Sequence, residues 1–542
     1  MRKTLSFVAL VAGFGLLAAS ALASVSQEPP QNTFRWSLAV DIDYVDPALG
    51  YYAPTWALTY ATSAKLYNYP DAPATRGSRL VPEVAAGFPA VSKDGRFYTF
   101  RLKKTYRLSD GKQVTARHFA HALFRVASRR MDSPGFPFMA DIVGAQALNE
   151  GKALSLSGVR VLGPQKLQIQ LKKASGDLLA RLAMPFFSAV PADLDLNREG
   201  VRPPIVSAGP YYIAEWKQSR RIILKRNRFY RGPRPQGVER VEVDIGLPLE
   251  TIKLNIDRGA TDAGDIPPSA HAELGRRYGV RRRSPGRYFA NPVGGISYLA
   301  FNHERGLFGG PTPLGNVRLK QALSTAIDRR DLMNQYGAYA GSVHDQLLPP
   351  TTLGFRDVRL YPRRPNLAKA RGLAAGNLRT AKGIFYCQNR TPAPQVCQHV
   401  QSLAREIGLD LDIRLFPAGF GEQSHRRGRP FDLVTRTWRA DYFDPYDFLF
   451  LVDGTTIRPA NNTNVSYFDS PRFNRRIKAA AALVGEARYE AFSRLDAELM
   501  RDVAPVAVYG VQNDRHYVSS RLGCYHHHPV YGWDFPALCL RR

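Results

Sequence analysis

Short apolar runs alternate with amphipathic stretches along most of the chain. Residues 97–102 are rich in aromatic and β-branched side chains and predict a strand. Thr115 predicts the N-cap of a following helix that carries Phe119, Leu123 and Val126 on one face. Because this strand-and-helix pattern recurs, the sequence predicts a mixed α/β protein.

A β-α-β unit is predicted in the second half of the chain. Its parts are a strand at Thr380–Tyr386, a helix at Val396–Ile407 and a strand at Leu411–Leu415. The apolar run Phe431–Trp438 would add a further parallel strand to the same sheet.

The order of these elements indicates two lobes. Residues 296–500 resemble one α/β lobe, and the segments before and after them resemble the pieces of another. The chain must therefore cross between lobes at least twice, and such crossings can act as a hinge that closes around a ligand. A strand is expected at Tyr298–Phe301, and short strands are expected in the C-terminal segment at Val506–Tyr509 and Arg515–Val518.

The N-terminal segment predicts export. Arg2 and Lys3 precede an apolar stretch, Leu5–Ala18, and Ala21-Leu22-Ala23 supplies small residues for cleavage. We therefore expect a signal peptide over residues 1–23 and a location in the periplasm or at the outer face of the cytoplasmic membrane. The alternative is an uncleaved membrane anchor, because the segment is just long enough to span a bilayer.

The four cysteines agree with an oxidising compartment. Three pairings are possible, and we expect the local one, Cys387 with Cys397 and Cys524 with Cys539, because each pair lies in one segment of the chain. A metal site is the alternative, but the chain has no Cys-x-x-Cys spacing.

Composition and charge narrow the class of protein. With 542 residues, 44% of them hydrophobic, the chain is long enough for several lobes with sizeable cores. Lys and Arg number 75 against 46 Asp and Glu, so the net charge of +29 favours anionic partners. No run of five like charges and no recognition module accompanies this charge, so nucleic acid is not expected as a partner.

Sequence signals for catalysis are missing. The chain has no His-Glu-x-x-His, Gly-x-Ser-x-Gly or phosphate-binding Gly-rich motif downstream of the N-terminal segment. His526-His527-His528 could suggest a metal, but adjacent histidines cannot all face one ion in regular structure. We therefore expect no enzyme activity, no cofactor and no metal site.

Five segments, in order, resemble the extracytoplasmic solute-binding proteins of peptide-type ABC importers, the oligopeptide- and dipeptide-binding group known as solute-binding protein family 5. The segment Leu108–Ala116, for example, is similar to the turn into a helix that these proteins share, with Gln113 where proline is common. The five segments are Val81–Pro89, Leu108–Ala116, Ser207–Tyr212, Tyr298–Asn302 with Val317–Arg329, and Trp438–Pro445.

The resemblance implies the type II periplasmic-binding-protein-like fold, in which two α/β lobes joined by a hinge close on a ligand. It implies that the first lobe carries an extra subdomain at 61–194. The first lobe would comprise 33–60, 195–292 and 506–542, and the second lobe 293–505.

The resemblance also implies a ligand site. The acid of the Trp-x-x-Asp segment, here Asp441, would receive the α-ammonium of a peptide, because a carboxylate in a closed cleft makes a strong charge-assisted hydrogen bond. The backbone of Thr437 and Arg439 would pair with the peptide main chain as an added strand. Further candidates for the cleft are Trp438, Tyr298 and Ala53.

The implied function is capture of di- to oligopeptides and their delivery to the permease subunits of an ABC transporter, by a monomeric receptor. No basic residue can be assigned to a ligand carboxylate. Two alternatives stay open: the same scaffold with a non-peptide solute such as a metal chelate, sugar or anionic compound, or an exported basic protein that adheres to polyanions.

Overall fold

Two long antiparallel strands, Tyr288–Phe301 and Val506–Val518, lie side by side in the centre of the fold. They belong to the largest sheet of the described residues, which has eleven strands. Their register shifts between Pro292 and Ile296, where the pairing is irregular. Both crossings between lobes were expected near these two strands, while the assignment of residues to each lobe stays a prediction.

The structure is a computed structural model that describes residues 32–70, 77–304, 316–378 and 382–541. The predicted signal peptide and Thr380, the predicted first residue of a strand, lie outside these ranges. Within them, no helix combines the length and the apolar character that crossing a membrane requires.

The large sheet extends from the two central strands in both directions. On one side lie three strands: Leu433–Arg439, Lys382–Gln388 and Asp410–Phe416. On the other side lie Ala263–Gly264, Thr33–Leu38, Arg240–Ile245, Arg221–Arg226 and Tyr211–Lys217. The eleventh strand, Gly341–Val343, pairs with Val506–Val518 outside this order.

Helices cover this sheet, as expected of an α/β protein. In the C-terminal half the strand Tyr288–Phe301 is buried on both faces: Tyr298 and Ala300 join one hydrophobic cluster, and Leu299 and Phe301 join another. The principal helices are Ala53–Thr62, Leu249–Arg258, Ala270–Tyr278, Val317–Ala326, Arg329–Asn334, Leu367–Ala374, Ala393–Arg405, Pro471–Ala482 and Gly485–Glu498.

A separate four-stranded antiparallel sheet lies in the N-terminal part of the chain. The predicted helix is present beside it as Ala116–Ala127, with Phe119, Leu123 and Val126 buried as expected. The strands of this sheet, in spatial order, are Ala90–Val91, Phe97–Arg101, Lys166–Gln170 and Val159–Gly163.

The predicted β-α-β unit is confirmed. The strands Lys382–Gln388 and Asp410–Phe416 are parallel, the helix Ala393–Arg405 connects them, and Leu433–Arg439 adds a parallel strand to Lys382–Gln388. The structure also joins Cys387 to Cys397 and Cys524 to Cys539, which is the local pairing.

The strand predicted at Tyr298–Phe301 is present, but the prediction of two separate short strands in the C-terminal segment was wrong. Tyr298–Phe301 is the end of a strand of 14 residues, and the predicted strands at 506–509 and 515–518 form one continuous strand of 13 residues. Proline and glycine at 292–295 interrupt the apolar pattern ahead of Tyr298, so the local sequence does not show that the first strand begins at Tyr288. Long-range pairing of the two strands with each other overrides that local preference.

One buried ion pair anchors the chain that follows the strand Leu433–Arg439. Arg488, in the helix Gly485–Glu498, donates two hydrogen bonds to Asp444, from Nε to Oδ2 at 2.8 Å and from Nη2 to Oδ1 at 2.7 Å. Only 2% and 6% of the two side chains are exposed, so each charge depends on the other for compensation.

We expect Arg488→Met to lower the free energy of unfolding by about 3–5 kcal/mol, because it leaves the Asp444 carboxylate buried without a cation. Arg494→Met is the matched control, since Arg494 is exposed on the same helix and should change stability by no more than about 0.5 kcal/mol. Urea unfolding measures both variants. Equal losses in the two variants would contradict this role of the ion pair.

Candidate functional site

The segment after the strand Leu433–Arg439 lies where the N-terminal and C-terminal parts of the chain meet. The hydroxyl of Tyr442 donates to Oδ2 of Asp177 at 3.0 Å, and the backbone N–H of Phe443 donates to the hydroxyl of Tyr69 at 2.9 Å. Residues far apart in sequence therefore enclose this segment from both sides.

Asp441 lies at the centre of this junction and is 7% exposed. Its Oδ2 accepts a hydrogen bond of 3.0 Å from the hydroxyl of Tyr51. No lysine, arginine or histidine nitrogen of the described residues forms an ion pair with it. Burial raises the pKa of Asp441 to about 7, because a desolvated carboxylate favours its neutral form, and the Tyr51 hydrogen bond offsets only part of that effect.

A second carboxylate strengthens the negative character of this site. Oδ2 of Asp447 accepts the backbone N–H of Asp441 at 3.2 Å and the indole N–H of Trp438 at 3.1 Å. Burial and the neighbouring Asp441 charge both raise the pKa of Asp447. Two desolvated acids in contact make a site that a ligand cation would stabilise.

The strand Leu433–Arg439 leaves one of its edges open. Its pairing with Lys382–Gln388 ends at Val434, while its other edge stays paired with the strand Tyr288–Phe301 up to Arg439. The N–H of Ala440 donates to the carbonyl of Gly294 at 2.6 Å, on the paired side.

Backbone groups alternate between the two edges of an antiparallel strand. Since Ala440 faces its partner strand, Thr437 and Arg439 direct their N–H and C=O groups to the open edge. An extended ligand could add to the sheet along this edge.

A cavity of about 370 Å³ lies at the far end of the open edge from Asp441. It brings together residues of three strands and the loop after Gln388. Its lining consists of Tyr336, Gln388, Arg390, Thr391, Pro392, Ala393, Val396, Phe420, Thr435, Arg436, Thr437 and Gln512.

The other site residues predicted from the sequence, Ala53, Tyr298 and Arg439, differ in their exposure to solvent and in their contacts. Ala53 is exposed at the start of its helix, two residues after Tyr51. Tyr298 is 2% exposed, packs in a hydrophobic cluster and lies opposite Arg436 in the sheet. The Arg439 side chain is held by two hydrogen bonds to Asp514, of 3.0 and 2.9 Å, so only its backbone is free to meet a ligand.

Four residues of the site were not predicted from the sequence. Tyr51 lies in no recognisable motif, and the residue that it contacts, Asp441, is 390 residues away in the chain. Asp447, Arg390 and Arg436 carry no motif. Arg436 stands two residues before Trp438 on a predicted strand, and a charged residue in that buried run was the one available signal.

Comparison with known protein families gives a match over most of the chain. Residues 79–459 match the family described as bacterial extracellular solute-binding proteins, family 5. The chain belongs to this family. Export, expected from the N-terminal segment, is therefore confirmed, and the resemblance seen in the sequence is confirmed with it.

The sequence identity between this chain and individual members of family 5 is low. It is 25% identical over 458 residues to the periplasmic murein peptide-binding protein MppA of Escherichia coli strain K12, with 80% of each chain covered. It is 24% identical over 429 residues to heme-binding protein A of Haemophilus influenzae, with 76% of this chain and 75% of the relative covered.

A solved structure confirms the expected fold. The structure of clavulanic acid biosynthesis oligopeptide binding protein 2 matches with a TM-score of 0.84, over 94% of this chain and 95% of that chain, at 22% identity. The chain therefore has the periplasmic-binding-protein-like α/β fold of the solute-binding proteins.

We expect Asp441→Asn to stabilise the ligand-free protein at pH 8. The pKa of Asp441 is raised to about 7, so the folded state holds a proton that the unfolded state releases between about pH 4 and 7. Stability contributed by this group is therefore lost as the pH rises through that window. Above it the buried charge costs up to about 4 kcal/mol, which the amide avoids.

Thermal unfolding at pH 5 and pH 8 tests this expectation. The melting temperature of Asp441→Asn should exceed that of the unchanged protein at pH 8 and approach it at pH 5. Asp193→Asn, an exposed acid elsewhere, should show no such pH-dependent gain. A variant that is less stable than the unchanged protein at pH 8 would contradict the assignment.

Proposed function

We propose that this protein binds peptides, with the α-ammonium on Asp441 and the main chain along the open edge of the strand Leu433–Arg439. The observation that carries the proposal is the buried carboxylate of Asp441, which has no cation among the described residues. Membership of solute-binding family 5 and likeness to a murein peptide-binding protein support a peptide as the ligand.

An ammonium group would complement both the negative charge and the hydrogen-bond acceptors of this site. Tyr51 supplies one hydrogen bond to Asp441, which leaves carboxylate lone pairs for N–H donors of the ligand. A charge-assisted bond in a desolvated site contributes more than its equivalent in water. Ionisation of Asp441 would then accompany binding.

Main-chain pairing would make binding tolerant of ligand sequence. The N–H and C=O groups of Thr437 and Arg439 face the open edge, and every peptide can pair with them. Side chains of the ligand would contribute selectivity only where they meet cavities.

Closure would involve the two central strands. The irregular pairing between Pro292 and Ile296, with Gly294 and Gly295 inside it, is a position at which backbone angles can change. Opening there would separate Tyr442 from Asp177 and admit ligand. This motion assumes the two lobes predicted from the sequence.

The proposed binding site implies a role in transport. The receptor would act as a monomer without catalytic activity and deliver its ligand to the permease subunits of an ABC transporter. The relatives named above are binding proteins, which supports a role without chemistry.

A non-peptide solute is the second candidate. One relative is named as a heme-binding protein, so membership of the family alone does not specify a peptide. Such a ligand would use the same junction without an ammonium on Asp441. Adhesion to polyanions, favoured by the net charge of +29, would instead show steep salt dependence.

Calorimetric titration with trialanine and N-acetyl-trialanine tests the role of Asp441. We expect acetylation, or Asp441→Asn in the protein, to weaken trialanine binding about 100-fold, because either change removes one charge of a desolvated pair worth about 2–5 kcal/mol. Asp193→Asn is the control that keeps the charge of the site.

The two changes should not add. Once Asp441 is replaced, acetylation should cost little further affinity, since both remove the same contact. Equal affinity for both peptides in the unchanged protein would contradict the ammonium site and favour a different ligand class. Loss of binding by modest salt alone would favour polyanion adhesion.

A further inference from the structure

Five arginines stand among residues 276–283, where the helix Ala270–Tyr278 ends and a loop follows it. All five are exposed. From residue 270 to residue 290 the chain has one acidic residue, Glu273, so the local charge is strongly positive. We call the five residues the arginine patch: Arg276, Arg277, Arg281, Arg282 and Arg283.

The charges of the arginine patch are not compensated inside the protein. None of its five side chains makes an ion pair or a hydrogen bond in the part of the chain that the structure describes, whereas Arg427, in another basic segment, pairs with Glu304. The five charges are therefore available to a partner outside the chain.

The loop that carries three of these arginines is fixed to the body of the protein through its backbone. The N–H of Arg281 donates to the carbonyl of Tyr288 at 3.1 Å, and the N–H of Ala290 donates to the carbonyl of Arg281 at 2.9 Å. One residue beyond the patch, the hydroxyl of Ser284 accepts the N–H of Tyr525 at 2.7 Å. The side chains therefore extend into solvent from a backbone of defined position.

Arg287, in the same segment, has a structural role that the loop arginines do not share. Its guanidinium lies 4.8 Å and 5.1 Å from the ring centroids of Tyr278 and Tyr517, and its Nε donates to the carbonyl of Val518 at 3.0 Å. The arginines at 281–283 lie over no aromatic ring of the described residues, so their side chains can be replaced without loss of such packing.

The arginine patch lies away from the proposed peptide site. Arg281 pairs with Phe289 near the start of the strand Tyr288–Phe301, whereas Arg439 of the peptide site pairs with Gly295 of the same strand. Phe289 and Gly295 are separated by about 20 Å of extended strand, at about 3.3 Å per residue. The patch and the peptide site are therefore separate surfaces.

We infer that the arginine patch docks the protein on the anionic phospholipid headgroups of a membrane surface. This inference goes beyond the proposed function and does not depend on which solute the protein binds. A guanidinium can donate two parallel hydrogen bonds to phosphate oxygens, and clusters of about four to eight basic residues are attracted to anionic lipid. Export brings the patch to the outer face of the cytoplasmic membrane, where such headgroups are present.

The composition of the patch favours a lipid surface over a protein partner. Protein interfaces have a core of apolar and aromatic side chains, and charged residues are depleted there. Among residues 276–283, all of which the structure describes, one large apolar side chain is exposed, Val280 at 40%. Lipid headgroups need no such core because they rearrange around the arginines, and Val280 can insert at the boundary between headgroups and acyl chains.

Vesicle flotation of the mature protein, which lacks the predicted signal peptide, tests this surface. One set of vesicles is pure phosphatidylcholine, and the other is an equimolar mixture of phosphatidylcholine and phosphatidylglycerol. We expect at least about ten-fold stronger partition onto the mixed vesicles at low salt, because their headgroups are anionic. The preference should disappear at about 1 M salt, where charges are screened over about 3 Å.

A triple variant, Arg281→Gln with Arg282→Gln and Arg283→Gln, removes three charges from the patch. We expect it to partition at least about ten-fold more weakly onto the mixed vesicles, since each basic residue near an anionic surface adds to the attraction. Its melting temperature should be unchanged, because the loop keeps its backbone hydrogen bonds to Tyr288 and Ala290.

The matched control removes the same charge elsewhere. It carries Arg117→Gln, Arg129→Gln and Arg130→Gln, at three other exposed arginines. Since exposed charges act over about 10 Å at about 0.1 M salt, this variant should keep its partition within about three-fold. Equal losses in the two triple variants would overturn the role of the patch, because the net charge of the whole protein would then account for the binding.

Other results would also overturn the inference. One is equal partition onto the two kinds of vesicle, or partition onto neither. Another is capture by beads that carry poly-glutamate without partition onto the mixed vesicles, which would assign the patch to an acidic protein partner. Partition that requires phosphatidylglycerol, low salt and the arginines at 281–283 would establish the lipid surface.

Discussion

The proposed binding site is built around the buried carboxylate of Asp441. It is enclosed at the junction of the two halves of the chain, is bonded to Tyr51 and has a second acid, Asp447, in contact with it. Without a cation this arrangement opposes folding at neutral pH, because desolvation favours the protonated acid. A ligand ammonium would compensate the charge of Asp441. The desolvation free energy that destabilises the ligand-free protein would then no longer oppose the folded state, and this gain would add to the affinity for the ligand.

The fold holds this carboxylate in place from several directions. The strand Leu433–Arg439 delivers it to the junction, and the ion pair of Asp444 with Arg488 fixes the turn that follows. The same strand keeps one edge open beside it. The ion pair holds this turn, while Asp441 has no cation among the described residues and lies beside the open edge.

Much of this architecture could be predicted from the sequence, and the failures have physical causes. The β-α-β unit and the helix Ala116–Ala127 follow from local periodicity, and the site near Asp441 follows from resemblance to the family. The length of the two central strands could not be predicted, because glycine and proline at 292–295 resemble a loop until the partner strand is known. Tyr51 was missed for a similar reason, because the residue that it contacts, Asp441, belongs to a distant segment of the chain.

A crystal structure of the protein with bound trialanine tests the central claim most directly. We expect the α-ammonium nitrogen within about 3 Å of the Asp441 carboxylate, as in other charge-assisted hydrogen bonds, with the peptide main chain paired to Thr437 and Arg439. A peptide bound in the reverse direction, or one that leaves Asp441 without a cation, would contradict it.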